Sequence, residues 1–395
     1  MKKKVLFVYP ELMLGGSTTS LISLLNSIDY IRYEVDLILY KNGGEYFNDL
    51  PLQVNVLPES SILHKDSLFS KYKKICKFIL SGIFIQAFIY ESVYKKKFGF
   101  NNQVISKFYS KNSRELEGKY DVAIGYLELW ANYYCLQKVS ATKKIIWIHI
   151  DYLNAGFIPT LDYKMFKKAD KIVCVSESCL VNFNKQFPEF INKSIVFENI
   201  LSSRFIKKRA EEKEEFDNNI THFNGLKLVT VCRLSIHTKG LDRTIMAAKR
   251  LKEQGYNFKW IIIGDGEDRE LLEEMIEKES LKDRIFLIGQ KKNPYPYMKQ
   301  CDVFVMASRR EGKPMAVTEA QILGLPIIVT NYSSAKEQVI NDDDGIIVDN
   351  IDEGIYEGIK KILDNPTLIQ KFKERVLKRQ LSNEALIEDF YTIIQ

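Results

Sequence analysis

Two glutamates, Glu311 and Glu319, stand with seven residues between them in the stretch EGKPMAVTEAQILG, 311–324. Apolar runs of β character flank it at 303–306 and 327–329. Pro314 suits the first turn of a helix, where its missing N–H is not needed. Gly324 suits the position just past the helix end, and Pro326 blocks continuation. The stretch therefore reads as strand, loop, helix, strand. Glu311 falls in the loop and Glu319 about a turn and a half into the helix. A loop carboxylate beside the free N–H groups of a helix start fits a phosphate or a sugar hydroxyl. Taken by itself, the pattern fits a solvated helix with two unrelated glutamates equally well.

Cations accompany it. Arg233 ends the strand candidate at 228–231, and Lys239-Gly240 opens the helix candidate at 241–254. A guanidinium, an ammonium and a helix start together make a clamp for a pyrophosphate. His149 directly follows the apolar run 145–148, at a strand's carboxyl end, the edge that holds ligands in open α/β sheets. A purely structural histidine fits that position too. Gly15 and Gly16 lie between a strand candidate at 5–9 and a helix candidate at 18–28, where glycine lets backbone N–H groups approach a ligand. A tight turn with no ligand fits the same residues. The loop lacks G-x-G-x-x-G, and the chain has no Walker lysine loop, so neither a dinucleotide site nor that type of nucleotide hydrolysis is supported. No Ser-His-Asp or Cys-His arrangement is visible. Asp342-Asp343-Asp344-Gly345 precedes an apolar β run, which favours an acidic turn over a metal site. No metal ligand set is expected.

The elements that must position these groups alternate β and α twice. In the first half, strands are expected at 5–9, 33–40, 54–57, 120–126, 144–148 and 170–175, with helices such as 130–137 and 161–168 before the later ones. In the second, strands at 228–231, 258–263, 285–288 and 303–306 alternate with helices at 241–254, 268–280 and 297–301. Such alternation implies parallel sheets with helices on their faces. At 395 residues, two domains are the natural expectation. The expected fold class is thus α/β, two Rossmann-like domains facing an interdomain cleft. The domains are read as 1–200, with an insertion at about 62–115, and 226–375. The polar stretch 201–225 is read as the linker, and 376–395 as a C-terminal helix on an end that is helical without a breaker after Pro366.

Composition narrows the class. Hydrophobic content of 46% and charged content of 27% are those of a soluble globular protein. A net charge of +6 is too small to argue for nucleic acid. Six scattered cysteines without a C-x-x-C pair, and only four histidines, speak against a zinc site or disulfide framework and for a reducing cytosol. The start, MKKKVLFVYPELML, is broken by Pro10 and Glu11 and lacks a small-residue cleavage site, so it reads as a buried strand rather than a signal peptide. No run approaches the roughly 18 apolar residues of a membrane-spanning helix. The segment 65–111 is unusual, with ten lysines against Asp66 and Glu91 around the apolar run 75–90. It fits contact with an anionic membrane surface. The other reading is a helical insertion packed on its own domain with a solvated lysine face.

Glu311-x7-Glu319 within EGKPMAVTEAQILGLPIIVT, VCRL at 231–234, KGLDRTI at 239–245, IIGDGEDRELL at 262–272, and Gly289-x3-Asn293 occur in one order. With the Gly15-Gly16 loop, His149 and VSES at 175–178, they resemble the retaining GT-B glycosyltransferases of family 4. The resemblance is strong over about 228–350 and weaker over 1–200. It implies a hexosyltransferase-type enzyme that uses a nucleotide-sugar donor, UDP-sugar first, with no tightly bound cofactor and no metal. Arg233 and Lys239 would hold the diphosphate as it leaves, and Glu319 would bond the ribose hydroxyls. Glu311, with backbone N–H groups near Gly312, Lys313, Pro314 and Met315, would hold the donor sugar. The loop from Gly289 to Asn293 would touch the base. Gly15 and Gly16 would face the phosphates and acceptor from the first domain, and His149 would contact the donor sugar. Lys313 departs from the family, where an aromatic residue is common at this position. In this light the basic segment implies a lipid-linked or cell-surface glycan acceptor, and a cytoplasmic enzyme peripheral at the inner face of the plasma membrane. A non-catalytic sugar-nucleotide-binding subunit is the alternative reading.

Overall fold

The structure, a computed structural model, describes residues 2–60, 102–152, 154–214, 220 and 222–395. Most of the basic segment 65–111, on which the membrane expectation rests, lies outside the described residues. Its last part forms the helix Asn102–Asn112.

Contacts divide the chain into two compact units. One comprises residues 1–13, 24–198 and 387–395, the other residues 14–23 and 199–386. The first unit holds a parallel sheet of β1 (Lys3–Tyr9), β2 (Tyr33–Leu39), β3 (Asn55–Val56), β4 (Lys119–Gly125), β5 (Ser140–Ile148), β6 (Lys171–Cys174) and β7 (Ser194–Val196). Its order is β3-β2-β1-β4-β5-β6-β7. The chain moves outward from β1 to β3, then returns to lie on the other side of β1, and such a reversal leaves a crevice at the carboxyl ends of the two central strands. The helix Ile387–Ile394 completes this unit. Phe390 stacks on Phe7 at 6.2 Å, Tyr391 stacks on Tyr33 at 5.0 Å, and the Asp29 N–H donates to the Tyr391 hydroxyl at 2.7 Å. Lys3 and Lys143 donate to its last carbonyls, of Ile394 and Ile393, where a helix end favours cations.

The second unit repeats the plan with β8 (Leu226–Val231), β9 (Phe258–Ile263), β10 (Ile285–Leu287), β11 (Val303–Met306), β12 (Ile327–Thr330) and β13 (Gly345–Val348), all parallel, in the order β10-β9-β8-β11-β12-β13. Its strands are apolar on both faces because helices cover both. Leu228, Trp260, Ile262 and Val305 point into one core with the helices Leu241–Glu253, Arg269–Lys278 and Gly354–Asp364. Their neighbours Val229, Ile261, Ile263 and Phe304 point into the other, with Ser203–Ala210, Tyr295–Lys299 and Met315–Ile322. The period of two along a strand makes this division.

Two expectations change. The polar stretch read as a linker contains the helix Ser203–Ala210, capped by Ser202 and buried through Ile206 and Ala210. Charge on one side of a short helix hid an apolar stripe on the other. The C-terminal end is also not continuous helix, because the helix Thr367–Leu377 stops before the last one begins. Asn383 instead bonds the Leu201 N–H at 2.7 Å and the Asn199 carbonyl at 2.9 Å. Short polar side chains that bond the backbone in this way compete with helix.

The turn Gly264-Asp265-Gly266 fixes the loop after β8. Cys232 N–H bonds Ile263 O at 3.1 Å and Leu234 N–H bonds Asp265 O at 2.9 Å. A Cβ at Gly264, whose φ is +149°, would lie 1.8 Å from the Cys232 carbonyl oxygen. We expect Gly264→Ala to lower the unfolding free energy by about 2–4 kcal/mol in a urea titration. Gly255→Ala, also at positive φ but with open space around it, is expected to cost about 1 kcal/mol.

Candidate functional site

The reversal of strand order in the second sheet falls between β8 and β11, and the loops leaving these two strands carry Arg233 and Ser308 to Glu311. They are joined through the four-residue helix Ile236–Lys239. Gly240 then turns the chain at φ +65°, and a Cβ there would lie 2.2 Å from the Ala307 carbonyl oxygen. Arg309 completes the seam. Its N–H bonds Thr238 O at 2.9 Å, Nη1 bonds Ile236 O at 2.7 Å, and the guanidinium grips Asp242 with bonds of 2.8 and 2.6 Å.

This seam delivers Lys239 to Glu311. Lys239 Nζ donates to Glu311 Oε1 at 2.6 Å, and the Ser308 hydroxyl donates to the same oxygen at 2.6 Å. The side chains are 22% and 10% exposed, so the pair is shielded without being sealed. Burial works against the Lys239 ammonium, but the Glu311 carboxylate outweighs it and holds the ammonium's pKa above its usual value. Arg233 differs. It is 63% exposed and lies 3.7 Å from Glu267, itself 57% exposed. An ion pair of that kind holds a guanidinium loosely.

Glu319 is placed apart from this pair. It sits within the helix Met315–Ile322, only 7% exposed, where its Oε1 accepts from the Tyr295 hydroxyl at 3.1 Å. Burial pushes its carboxyl up to about 7, against the pull of that hydrogen bond. Pro314 stands one position before the helix as its cap, and its carbonyl accepts from Gln338 at 3.0 Å. Gly289 turns the chain after β10 at φ +76°. Asn293 is buried, and its amide donates to Arg209 O at 2.9 Å and Glu212 at 2.8 Å. Its side chain thus ties the 289–293 loop to the helix Ser203–Ala210, and its amide is already engaged there.

Gly15 and Gly16 correct the expectation in another way, since residues 14–23 group with the second unit. A Cβ on Gly16 would stand 3.8 Å from the Met315 side chain, and Gln290 donates to Leu14 O at 3.4 Å. The glycine loop therefore belongs beside the start of the Glu319 helix. Packing decides this, and sequence position does not reveal it.

His149 lies in the first unit, at the carboxyl end of β5. Burial pushes its ring down to about 4, and Nε2 is out of reach of solvent without a partner among the described residues. Glu128, which the sequence reading overlooked, accepts from the backbone N–H groups of His149 and Ile150, the latter at 2.9 Å. Burial pushes Glu128 up to about 7, against those N–H groups. Leu129 follows at φ +67° and ψ −121°, a costly conformation for a leucine. The signal available was its place just after β4, a central strand. Ser308, Arg309 and Asp242 were also missed, and the first two had the same kind of signal after β11.

The acidic turn is a turn. Asp344 is fully buried and bonded by Arg379, while Asp343 and Asp342 pair with Arg375 and Lys361. Among the described residues no group of three or more His, Cys, Asp or Glu is arranged to hold a metal, and no helix is long and apolar enough to cross a membrane.

Over its whole length the chain shares its fold with Anabaena HepE in complex with UDP and glucose, at 15% identity, a TM-score of 0.69, and 99% and 98% of the two chains covered. The fold is the GT-B fold. Residues 212–379 match the family model of glycosyl transferases group 1. An uncharacterized glycosyltransferase of Methanocaldococcus jannaschii is 30% identical over 255 residues, 63% of this chain and 61% of that relative's length. The N-acetylgalactosamine-N,N'-diacetylbacillosaminyl-diphospho-undecaprenol 4-alpha-N-acetylgalactosaminyltransferase of Campylobacter jejuni is 23% identical over 96% of this chain and 95% of its own. Residues 212–379 are thus similar to the glycosyl transferases group 1.

Burial of Glu319 has a sign that can be checked. Its native pKa lies above its unfolded one, so it stabilises the fold when protonated, fully below about pH 4.5, and this contribution is lost as pH rises through about 7. Unfolding free energies at pH 5 and pH 8 should differ less in Glu319→Gln than in the parent, by roughly 2–3 kcal/mol.

Proposed function

We propose that the protein is a retaining glycosyltransferase that moves a sugar from a nucleoside-diphosphate sugar, with UDP the expected nucleotide, to a glycan or lipid-linked acceptor of cell-surface polysaccharide assembly. The observation that carries the reading is the Lys239–Glu311 pair beside an exposed Arg233 at the strand-order reversal of the second sheet. Support for UDP comes from HepE, whose structure holds UDP and glucose. Support for a lipid-linked acceptor comes from the Campylobacter relative's diphospho-undecaprenol substrate.

The chemistry follows from charge. Breaking the bond between the sugar's anomeric carbon and the phosphate oxygen leaves the electron pair on the diphosphate. Arg233 and Lys239 meet that charge as it develops, with a guanidinium and an ammonium already in place. The acceptor hydroxyl bonds to the anomeric carbon on the face the phosphate leaves, and its proton passes to the departing phosphate. Configuration is retained, and neither a protein nucleophile nor a metal is required. Glu311, with the backbone around Gly312, Lys313, Pro314 and Met315, holds the sugar hydroxyls. Glu319 takes the ribose, the loop from Gly289 takes the base, and Gly15 and Gly16 bring backbone N–H groups to the phosphates. His149, neutral at working pH because burial disfavours its cation, acts as a hydrogen-bonding group and not as an acid.

A thermal-shift panel with UDP, GDP, ADP and CMP tests the donor class. One nucleotide at ~100 times its dissociation constant should add ~2.7 kcal/mol, and Arg233→Ala should lose the effect. Sugar transfer from the matching donor should persist in EDTA and fall at least about 100-fold in Glu311→Gln. NMR of the product should show the donor's anomeric configuration. Absence of any shift, or an inverted product, sinks the reading.

A further inference from the structure

The donor reading leaves one feature of the second unit without a role. The cation proposed to bind the diphosphate and the carboxylate proposed to bind the sugar hold each other. Lys239 Nζ and the Ser308 hydroxyl both donate to one oxygen of Glu311, each at 2.6 Å. The backbone on both sides is sewn down. Arg309 and Asp242 fix the short helix Ile236–Lys239, and the Ser333 hydroxyl donates to the Glu311 carbonyl at 3.2 Å. Only side chains have freedom to change partners here. Arg233, by contrast, is exposed and weakly paired, so it needs no such release.

We propose that donor recognition proceeds by an ion-pair exchange: the diphosphate takes Lys239 from Glu311, and the freed carboxylate, steadied by Ser308, turns to the sugar hydroxyls. The inference rests on the donor-site reading and assigns Ser308 as a positioning residue. Its physical basis is the cost of a shielded charge that loses its partner. A nucleoside diphosphate without its sugar detaches Lys239 but gives Glu311 nothing in return, so it binds below its potential. The intact donor supplies the replacement hydroxyls. Glu311 thereby makes the site discriminate the whole donor from the product nucleotide, which lowers product retention after transfer.

Two signs follow from one oxygen atom. Glu311→Gln leaves Lys239 without its ionic partner, so UDP binds tighter, by about tenfold. Ser308→Ala removes the group that steadies the released carboxylate, so UDP binds several-fold weaker. Simple repulsion between Glu311 and the phosphates predicts the first sign too, but it operates whether or not Lys239 is present. The exchange operates only through Lys239.

Isothermal titration of UDP into the full chain decides the matter, with Glu311→Gln, Lys239→Met, the double variant and Ser308→Ala, each checked for an intact thermal transition. The expected result is a tenfold gain in Glu311→Gln that shrinks below about twofold in the Lys239→Met background, with a loss in Ser308→Ala. A gain that persists without Lys239, or UDP affinity unchanged or weaker in Glu311→Gln, overturns the exchange and leaves the donor site standing. If Glu311→Gln does not fold, the sign of Ser308→Ala decides alone, and tighter or unchanged binding overturns the proposal. Failure of the parent to bind any of UDP, GDP, ADP and CMP at millimolar concentration overturns both readings.

Discussion

The contact on which the second unit's site depends is the ion pair of Lys239 and Glu311, because it joins the loops leaving the two strands where the sheet reverses order. A parallel sheet presents its carboxyl edge as a row of loops, and most of them are free to diverge. Here the loop after β8 and the loop after β11 are held at one point by charge and at several others by backbone bonds through Arg309. The pair is largely shielded from water without being sealed from it. A fully exposed pair would hold nothing, and a sealed one could not respond to a ligand.

Burial does a different kind of work at Glu319 and Glu128. Both carboxyls are pushed up to about 7 by desolvation, in spite of the hydrogen bonds each accepts. Glu319 stands inside the helix that follows β11, and Glu128 in the loop after β4. Burial disfavours the charged form of a carboxyl wherever it occurs, so the common cause here is desolvation. His149 is pushed the opposite way by the same cause, so its cation is absent near neutrality.

Much of the architecture was legible. The strands at 258–263 and 303–306 are apolar runs closed by turn residues, and they form as read. Strand Leu226–Val231 starts two residues before its expectation because Leu226 and Lys227 pair with Phe258 and Lys259, and pairing carries little trace in composition. The helix Ser203–Ala210 was hidden by its charges, and the stop before the last helix was hidden because Ser382 and Asn383 find their backbone partners some 180 residues away in the chain. Of the groups at the candidate site, the two glutamates, Arg233 and Lys239 were visible from type and position. Ser308, Arg309 and Glu128 carried only their place after a central strand, a signal many polar residues share, and Asp242, in the helix Leu241–Glu253, carried none.

The sequence by itself determined the alternation of strands and helices, the doubled Rossmann-like plan, and the set of residue types able to meet a diphosphate and a sugar. These follow from periodicity and from punctuation by glycine and proline, which act over a few residues. The tertiary structure decided the partners. It gave Glu311 to Lys239 and Glu319 to Tyr295, turned Asn293 inward, and grouped the Gly15-Gly16 loop with the second unit. Partner choice depends on which strands lie side by side, and strand order is set by long-range packing that no short stretch of sequence encodes.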